Sequence, residues 1–319
     1  MVSRGLALLA ALVFVVAPVS AFGRTVGAGR LQLGLLGNPA RFASETRQRS
    51  SSRLMIVGWE QGSTPAYFTR LLSSMLDEPM IGLNTAGNGT GERITPAQIA
   101  QGRGDAFLLA LNGALAAWGK PVFVRPLAEM NGHWNAYSAY NADGSSRGPA
   151  HSTAMFRRAF ARIYLIVHGG TDVDRRLASL GLPPVARQPE PAPNVQVIWN
   201  PQGYGSPDLP GNSAQAYYPG DAYVDVVGDD LYDIGGRAAW SAAAALYAAH
   251  PRKPFAIGEW GLWGVDDARF VARMAAFLRS HPRVVIANYY SGKPGSVFDL
   301  ESKPRSLAAY RSLITPLAG

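Results

Sequence analysis

The stretch PVFVRPLAEMNGHW, residues 121–134, contains an apolar run that ends at Arg125 and is followed closely by Glu129. A second stretch, PFAIGEWGLW at residues 254–263, repeats this arrangement, with a short apolar run directly before Glu259. Short runs of β-branched and aromatic residues that are bounded by turn residues are typical of buried strands. Each glutamate is therefore predicted to lie just past a buried strand.

The whole chain repeats this pattern of short apolar run, turn and longer helical stretch. Eight such runs are predicted strands: residues 31–36, 54–59, 79–84, 121–125, 195–199, 223–228, 254–258 and 284–289. Amphipathic stretches between several of them predict helices, at residues 95–118, 153–167, 238–249 and 266–279. Strands that alternate with helices favour parallel βαβ units. Eight units predict an α/β fold of one domain, the (β/α)8 TIM barrel.

An open, doubly wound sheet is the alternative fold for alternating strands and helices. Such a sheet usually carries the G-x-G-x-x-G pattern after its first strand, and GLLGN at residues 34–38 does not match it. In a barrel, active sites are built at the C-terminal ends of the strands and from the loops that follow them. Glu129 and Glu259 are both predicted on that face. The loop at residues 135–150 is expected to shape the cleft, and residues 171–193 to lie on the opposite face.

Two carboxylates at strand ends, flanked by aromatic residues, are what hydrolysis of a glycosidic bond requires. Glu129 is the predicted general acid/base, because its apolar approach and the nearby Trp134 should desolvate it and raise its pKa. Glu259 is the predicted nucleophile, which needs polar or cationic neighbours such as Arg125 or the phenol of Tyr232. The alternatives are a salt bridge between Glu129 and Arg125, and a helix-start position for Glu259.

Aromatic residues also follow the predicted strand ends. Sugar rings have apolar faces that stack on flat aromatic surfaces. The expected platform consists of Trp134, Trp260, Trp263, Tyr289 and Tyr290. At least two of the five are predicted to contact sugar, and Trp59 and Tyr204 are weaker candidates.

Several other classes of chemistry are disfavoured by composition. The chain has no cysteine, which excludes thiol catalysis and Cys-ligated metal. The five histidines show no metal-ligand spacing, and the pair Asp229 and Asp230 is predicted to form hydrogen bonds at the barrel rim. No metal site and no cofactor are predicted.

Charge and the N-terminus bear on partners and location. The net charge of +8 is spread along the chain without a clustered patch, so nucleic-acid binding is not expected.

Residues 1–21 combine Arg4, an apolar stretch and a small-residue ending, which predicts a secretory signal peptide that is cleaved after Ala21. The remaining residues 22–319 are the predicted glycosidase domain. It is expected to be secreted, extracellular or periplasmic, free of the membrane after cleavage, and monomeric.

The chain resembles glycoside hydrolase family 26, within the clan of retaining (β/α)8 glycosidases. The similarity covers roughly residues 95–265 in the order of the family's motifs. The matching positions include Gly102, Asp105, Arg125, Pro126, Glu129, Met130, Asn131, Gly132, Trp134, Trp199, Asn200, Pro201, Tyr218, Asp221, Gly228, Asp230, Tyr232, Gly258 and Glu259. The resemblance implies acid/base catalysis by Glu129, nucleophilic attack by Glu259 and contact of Trp134 and Tyr232 with sugar. Together, the expected substrate-binding residues are Arg125, Asn131, Trp134, Tyr232, Trp260, Trp263 and Tyr289.

One position departs from the family pattern. The family typically has His immediately before the acid/base, and related families have Asn, whereas this chain has Ala128. Family members mostly cleave β-1,4-mannans, and some act on β-1,3-xylan or mixed-linkage β-glucan. Because the polar neighbour helps to hold substrate near its 2-hydroxyl, the departure leaves open which polysaccharide is bound.

These observations predict a secreted, retaining glycoside hydrolase that cleaves a β-linked polysaccharide, β-mannan or a related β-glycan, without a cofactor. A non-hydrolytic carbohydrate-binding protein on the same scaffold is the alternative from another class, since fold does not guarantee activity. A glycosidase that acts on the producer's own exopolysaccharide is a further alternative.

Overall fold

The computed structural model describes residues 31–60, 64–87 and 91–318. The predicted signal peptide, residues 1–21, lies outside the described residues. Eight parallel strands pair in chain order and close into a barrel between β8 and β1. The predicted (β/α)8 TIM barrel is confirmed. The strands are β1 (Gln32–Leu36), β2 (Ser52–Gly58), β3 (Glu78–Asn84), β4 (Val122–Pro126), β5 (Val195–Trp199), β6 (Val226–Ile234), β7 (Phe255–Trp263) and β8 (Val284–Tyr290).

Helices on the outside of the barrel connect the strands. They are α1 (Pro39–Thr46), α2 (Pro65–Ser73), α3 (Pro96–Ala100), α4 (Asp105–Trp118), α5 (Thr153–His168), α6 (Val173–Ser179), α7 (Trp240–Ala249), α8 (Ala268–Ser280) and α9 (Pro304–Ala309). The first residue of α1, α2, α3 and α9 is proline, which suits the first helical turn because its missing N–H has no intrahelical partner there. No helix in the described part of the chain has the length and apolar content needed to cross a membrane.

Two strands are longer than the sequence predicts. β6 continues past Gly228 to Ile234, and β7 continues past Gly258 to Trp263. The register between them shifts at this point, with Asp229 opposite Ile257 and Asp230 opposite Glu259. Asp230, Tyr232 and Glu259 remain in the sheet, and their side chains have hydrogen-bond partners inside the barrel mouth. Glu259 therefore lies within β7 rather than after it.

The barrel interior consists of an apolar floor beneath a polar layer. The floor takes one buried side chain from each of β2 to β8: Leu54, Met80, Phe123, Ile198, Val226, Ala256 and Ile286. Side chains alternate along a strand, so the residues two positions further on, such as Arg125 and Asn200, point into the same interior one layer higher. The larger apolar core lies between the barrel and its helices. The floor excludes solvent from the lower side of the polar layer and restricts the motion of the side chains in that layer.

Outside the barrel, a buried ion pair joins α4 to α5. The guanidinium of Arg162 is fully buried and donates to both carboxylate oxygens of Asp105, with Nε–Oδ1 at 2.7 Å. It also donates from Nη1 to the carbonyl of Pro183 at 2.7 Å, which ties in the segment between α6 and β5. Removal of the carboxylate would leave a buried guanidinium without its countercharge.

We expect Asp105→Ala to lower the free energy of unfolding by about 3–5 kcal/mol, the usual cost of breaking a buried ion pair from one side. Urea denaturation followed by circular dichroism measures this change. Asp172→Ala is the matched control, because Asp172 pairs with Arg175 on the surface, with 43% and 78% of the two side chains exposed. Exposed pairs contribute at most about 1 kcal/mol. Equal losses in the two variants would contradict this account of the α4–α5 contact.

Candidate active site

Two acidic side chains share the open C-terminal mouth of the barrel. Glu129 belongs to the loop after β4, and Glu259 projects from β7. Both line a cleft of about 820 Å³ that opens toward β6, β7 and β8, and both also line a recess of about 80 Å³ toward β2, β3 and β4. The structure thus brings the two predicted catalytic residues together where the two cavities meet.

A buried guanidinium lies beneath this pair. Arg125 is 2% exposed and donates from Nη1 to Glu259 Oε1 at 2.7 Å, from Nε to Asn200 Oδ1 at 3.0 Å and from Nη2 to Asp230 Oδ2. Burial by itself lowers the pKa of Arg125, but the charges of Asp230, Glu259 and Glu129 outweigh it and raise that pKa above its ordinary value. The predicted alternative, a salt bridge from Arg125 to Glu129, is not formed. Arg125 contacts Glu259 instead. Because the side chain is buried, it has little surface that a substrate could contact.

The backbone around Glu129 has an uncommon conformation. Leu127 and Glu129 have φ of 50° and 53°, in the left-handed region that side chains with a Cβ rarely adopt. Three contacts hold this turn: Glu129 N donates to Asn200 O at 2.7 Å, Leu127 N to Leu83 O at 2.8 Å, and the Tyr137 hydroxyl to Ala128 O at 2.6 Å. Strain of this kind costs on the order of 1–3 kcal/mol per residue and is typical of functional sites.

The carboxyl group of Glu129 accepts two hydrogen bonds and has a raised pKa. Trp134 Nε1 donates to Oε2 at 2.7 Å, and Gln202 Nε2 donates to Oε1. Burial raises the pKa of Glu129 above its ordinary value, and the charge of Glu259 raises it further, while Arg125 acts in the opposite direction. Glu129 therefore has the electrostatic surroundings of a carboxyl group that keeps its proton to a higher pH than an ordinary glutamate does.

Glu259 has a different set of neighbours. Its second oxygen accepts a hydrogen bond from the Tyr232 hydroxyl at 2.7 Å, and its backbone N–H donates to Asp230 Oδ1 at 2.8 Å. A Cβ on Gly258, the preceding residue, would lie 2.2 Å from Asn200 Oδ1 and 2.8 Å from Arg125 Nε. The absence of a Cβ at Gly258 therefore leaves room for the polar layer.

The predicted hydrogen bonds of the acidic pair in β6 are present. Asp230 accepts from Arg125, from Asn200 Nδ2 at 3.2 Å and from the Glu259 N–H, and Asp229 Oδ1 accepts from the Gly203 N–H at 2.9 Å. Burial raises the pKa of Asp229 to about 7, against the effect of its backbone donors. Burial also raises the pKa of Asp230 above its ordinary value, although Arg125 opposes this change.

Aromatic side chains form one wall of the larger cleft. Trp134 and Trp263 are 49% and 47% exposed, and Tyr232 lies between Trp263 and Glu259. The remaining apolar lining is contributed chiefly by Tyr204, Tyr290, Phe298, Leu231 and Ile234. The structure places Trp134, Tyr232 and Trp263 where a bound ligand would contact them.

Three predicted substrate-binding residues line neither cavity. Trp260 and Tyr289 are fully buried, and both rings pack against Tyr310 in the outer core. β7 and β8 continue through these residues, and alternation along each strand turns their side chains outward. Asn131 is also fully buried, where it donates to the carbonyls of Gln202 and Tyr204 at 2.9 and 3.0 Å. The prediction that these three side chains bind substrate is wrong, since solvent cannot reach them.

Gln202 and the contacts of Asn200 in the polar layer were not predicted from the sequence. Both follow β5, so the rule that placed Glu129 on the catalytic face also applies to them. Asn131 fixes Gln202 from two sides, because it accepts from Gln202 N at 2.9 Å and donates to Gln202 O. Asn131 is therefore a positioning residue for the group that contacts Glu129. His133, the histidine nearest to the predicted chemistry, contacts Ser206 Oγ at 3.2 Å and does not line either cavity.

Several solved structures of mannanases share the fold of this chain. The chain aligns with a mannanase of Bacillus subtilis with a TM-score of 0.56 and 19% identity, over 89% of this chain and 85% of that one. It aligns with a β-mannanase of glycoside hydrolase family 26 from Bacteroides ovatus with a TM-score of 0.56 and 16% identity, over 91% and 89%. A family 26 domain of Prevotella bryantii gives a TM-score of 0.56 at 13% identity, over 89% and 88%. These similarities support a common fold.

Among curated proteins, Endoglucanase H of Acetivibrio thermocellus is 27% identical over 231 residues, which are 68% of this chain and 22% of that protein. The chain thus spans about a fifth of the length of this curated relative. No protein-family model matches the sequence. In fold, the chain is similar to the β-mannanases of glycoside hydrolase family 26, the family that its sequence motifs resemble.

Proposed function

We propose that this protein is a glycoside hydrolase that cleaves a β-linked polysaccharide with net retention of configuration. One observation carries the proposal: a single cleft contains two glutamates whose surroundings differ. Glu129 has a raised pKa, whereas both oxygens of Glu259 accept hydrogen bonds, from Arg125 and Tyr232. Pairs of carboxyl groups in unequal environments divide the roles of acid and nucleophile between them.

In the first step, Glu259 attacks the anomeric carbon of the sugar unit bound at the mouth. The bond from that carbon to the glycosidic oxygen breaks, and Glu129 transfers its proton to the departing oxygen. The product is an ester between the sugar and the Glu259 carboxyl. Arg125 and Tyr232 hold the Glu259 carboxylate from below and from the side, so its orientation is set before substrate arrives.

In the second step, a water molecule occupies the place of the departed oxygen. Glu129, which is now ionised, removes a proton from this water as the water attacks the anomeric carbon. The ester bond breaks, Glu259 returns to its carboxylate form and the configuration is restored. Trp134 and Gln202 donate to the Glu129 carboxyl and keep it aimed at the same oxygen position in both steps.

The cleft suggests a polymeric substrate. Exposed rings of Trp134, Trp263 and Tyr204 lie along the same 820 Å³ cleft, and they offer stacking surfaces for more than one sugar unit. Similarity to an endoglucanase and to mannanases supports a β-linked hexose backbone. The signal-like sequence of residues 1–21 supports action outside the cytoplasm.

Glu259→Ala should abolish turnover of β-glucan or β-mannan oligosaccharides, and added azide should restore product as a glycosyl azide of inverted configuration. The small anion fits the space left by the carboxylate and attacks from the same side. Chromatography and NMR identify the product. Glu301→Ala serves as a control, because 69% of this side chain is exposed and it lies outside both cavities. Normal turnover in Glu259→Ala would refute the assignment of the nucleophile.

Glu129→Ala should slow hydrolysis of natural glycosides by about 10²–10⁴-fold, the usual contribution of a general acid. Substrates with a leaving group that needs no proton should still form the glycosyl-enzyme, which steady-state and burst kinetics detect. Equal slowing of the first step for both kinds of substrate would contradict an acid role for Glu129.

The pH profile should reflect the raised pKa of Glu129. The first step needs this group protonated, so kcat/KM should fall as pH rises through its pKa, at a pH above the ordinary range of a glutamate. Trp134→Phe removes a donor that stabilises the ionised form, so the falling limb should move to higher pH. A limb that moves to lower pH would contradict this assignment.

A further inference from the structure

The smaller recess at the barrel mouth has no role in the chemistry proposed above. It measures about 80 Å³ and lies on the β2–β4 side of the two carboxyl groups. One water needs only about 10–15 Å³ on the same measure, so the recess has room for a group of several heavy atoms. Because Glu129 and Glu259 line it, a sugar unit held between them would have one edge facing into this space.

Two small residues keep the recess open. Ala128 contributes only a methyl group to its wall, directly before Glu129, and Gly82 contributes only backbone. A Cβ at Gly82 would lie 3.3 Å from Ile56 Cγ1, a tight but not prohibitive contact. A longer side chain at position 128 would occupy the space next to the carboxyl groups.

The lining of the recess combines an apolar surface with an amide donor. Ile56 lines it and is 50% exposed, which is unusual for an isoleucine at the mouth of a barrel. Asn84 accepts from Ala86 N at 2.9 Å through Oδ1, which fixes the orientation of the amide. Its Nδ2 has no hydrogen-bond acceptor among the residues that the structure describes. The residues that line the recess thus include an amide with a free N–H donor as well as aliphatic carbon.

We propose that this recess binds an acetyl substituent on the sugar unit held between Glu129 and Glu259. The carbonyl oxygen accepts from Asn84 Nδ2, and the methyl group packs on Ile56 and Ala128. The acetyl group belongs either to an acetamido sugar or to an O-acetylated sugar, which share this chemistry. An anionic substituent fits poorly, because both acidic side chains face the same space. The inference rests on the proposed hydrolytic function and specifies its substrate.

Two pairs of substrates distinguish the sources of the acetyl group. The first pair compares β-1,4-linked oligosaccharides of N-acetylglucosamine with those of glucose. The second compares an O-acetylated glucomannan with the same polymer after alkaline deacetylation. We expect the parent protein to show a higher kcat/KM for the acetylated member of at least one pair. Equal values, or a preference for the unsubstituted member in both pairs, would overturn the inference while leaving the proposed function intact.

Two variants test whether the recess is responsible. Ala128→His fills the space, and the ratio of kcat/KM between acetylated and unsubstituted substrate should fall by about tenfold or more. Asn84→Ala keeps the space open but removes the donor, and the same ratio should fall by about fivefold, the value of one hydrogen bond. Ala66→His is the control for the added imidazole, since Ala66 is exposed in α2, outside both cavities.

The proposed hydrolysis and the proposed binding of an acetyl group are contradicted by different results of these experiments. An unchanged ratio in a folded Asn84→Ala variant would contradict the assigned donor even if Ala128→His disturbs the turn around Glu129. If the parent cleaves none of the four substrates, the proposed function fails. Calorimetric binding of the same oligosaccharides to the parent then decides the role of the recess, and binding without preference for the acetylated members overturns it.

Discussion

The polar layer of this barrel depends on the buried guanidinium of Arg125. It contacts side chains from three other strands or strand ends: Asn200 after β5, Asp230 on β6 and Glu259 on β7. A charge removed from water is tolerated only when it is paired and its donors are used. The residue at position 258 leaves space for this pairing. A Cβ there would clash with the side chains of Asn200 and Arg125, and glycine has none. The same Asn200 accepts the Glu129 N–H through its carbonyl, so the contacts of Arg125 extend to the second carboxyl group.

The balance of charge gives two similar glutamates different electrostatic surroundings. Glu129, Asp230 and Glu259 lie around a single guanidinium, so one cation cannot compensate three ionised carboxylates. Arg125 donates to Asp230 and Glu259 but not to Glu129, whose donors are the neutral groups of Trp134 and Gln202. Burial and repulsion therefore raise the pKa of Glu129. Glu129 and Glu259 are the same type of residue. Their surroundings differ because the guanidinium of Arg125 donates to Glu259 and not to Glu129.

Sequence patterns predicted the fold because strand and helix periodicity are local properties, and the rule for barrel active sites then placed Glu129 and Glu259 on one face. The side of a strand on which each residue lies was harder to predict. Once β7 is seen to continue past Gly258 with a shift in register, Glu259 faces the barrel and Trp260 faces the helices. The same rule places Gln202 on the catalytic face, but its contact with Glu129 could not be predicted, because it depends on hydrogen bonds between Gln202 and Asn131 across two loops. Contacts between distant segments have no periodic signature.

The two cavities at the mouth differ in chemistry, and this difference follows from the order of strands around the barrel. The side toward β6, β7 and β8 carries exposed aromatic rings, which suit the faces of successive sugar units. The side toward β2, β3 and β4 is narrow and combines Ile56 with the amide of Asn84, which suits a small substituent rather than a ring. Because Glu129 and Glu259 lie at the boundary, a substrate of the proposed hydrolysis would contact both sides at once. In that proposal, stacking along the open side admits many β-linked chains, and the recess adds a selection by the substituent on the central sugar.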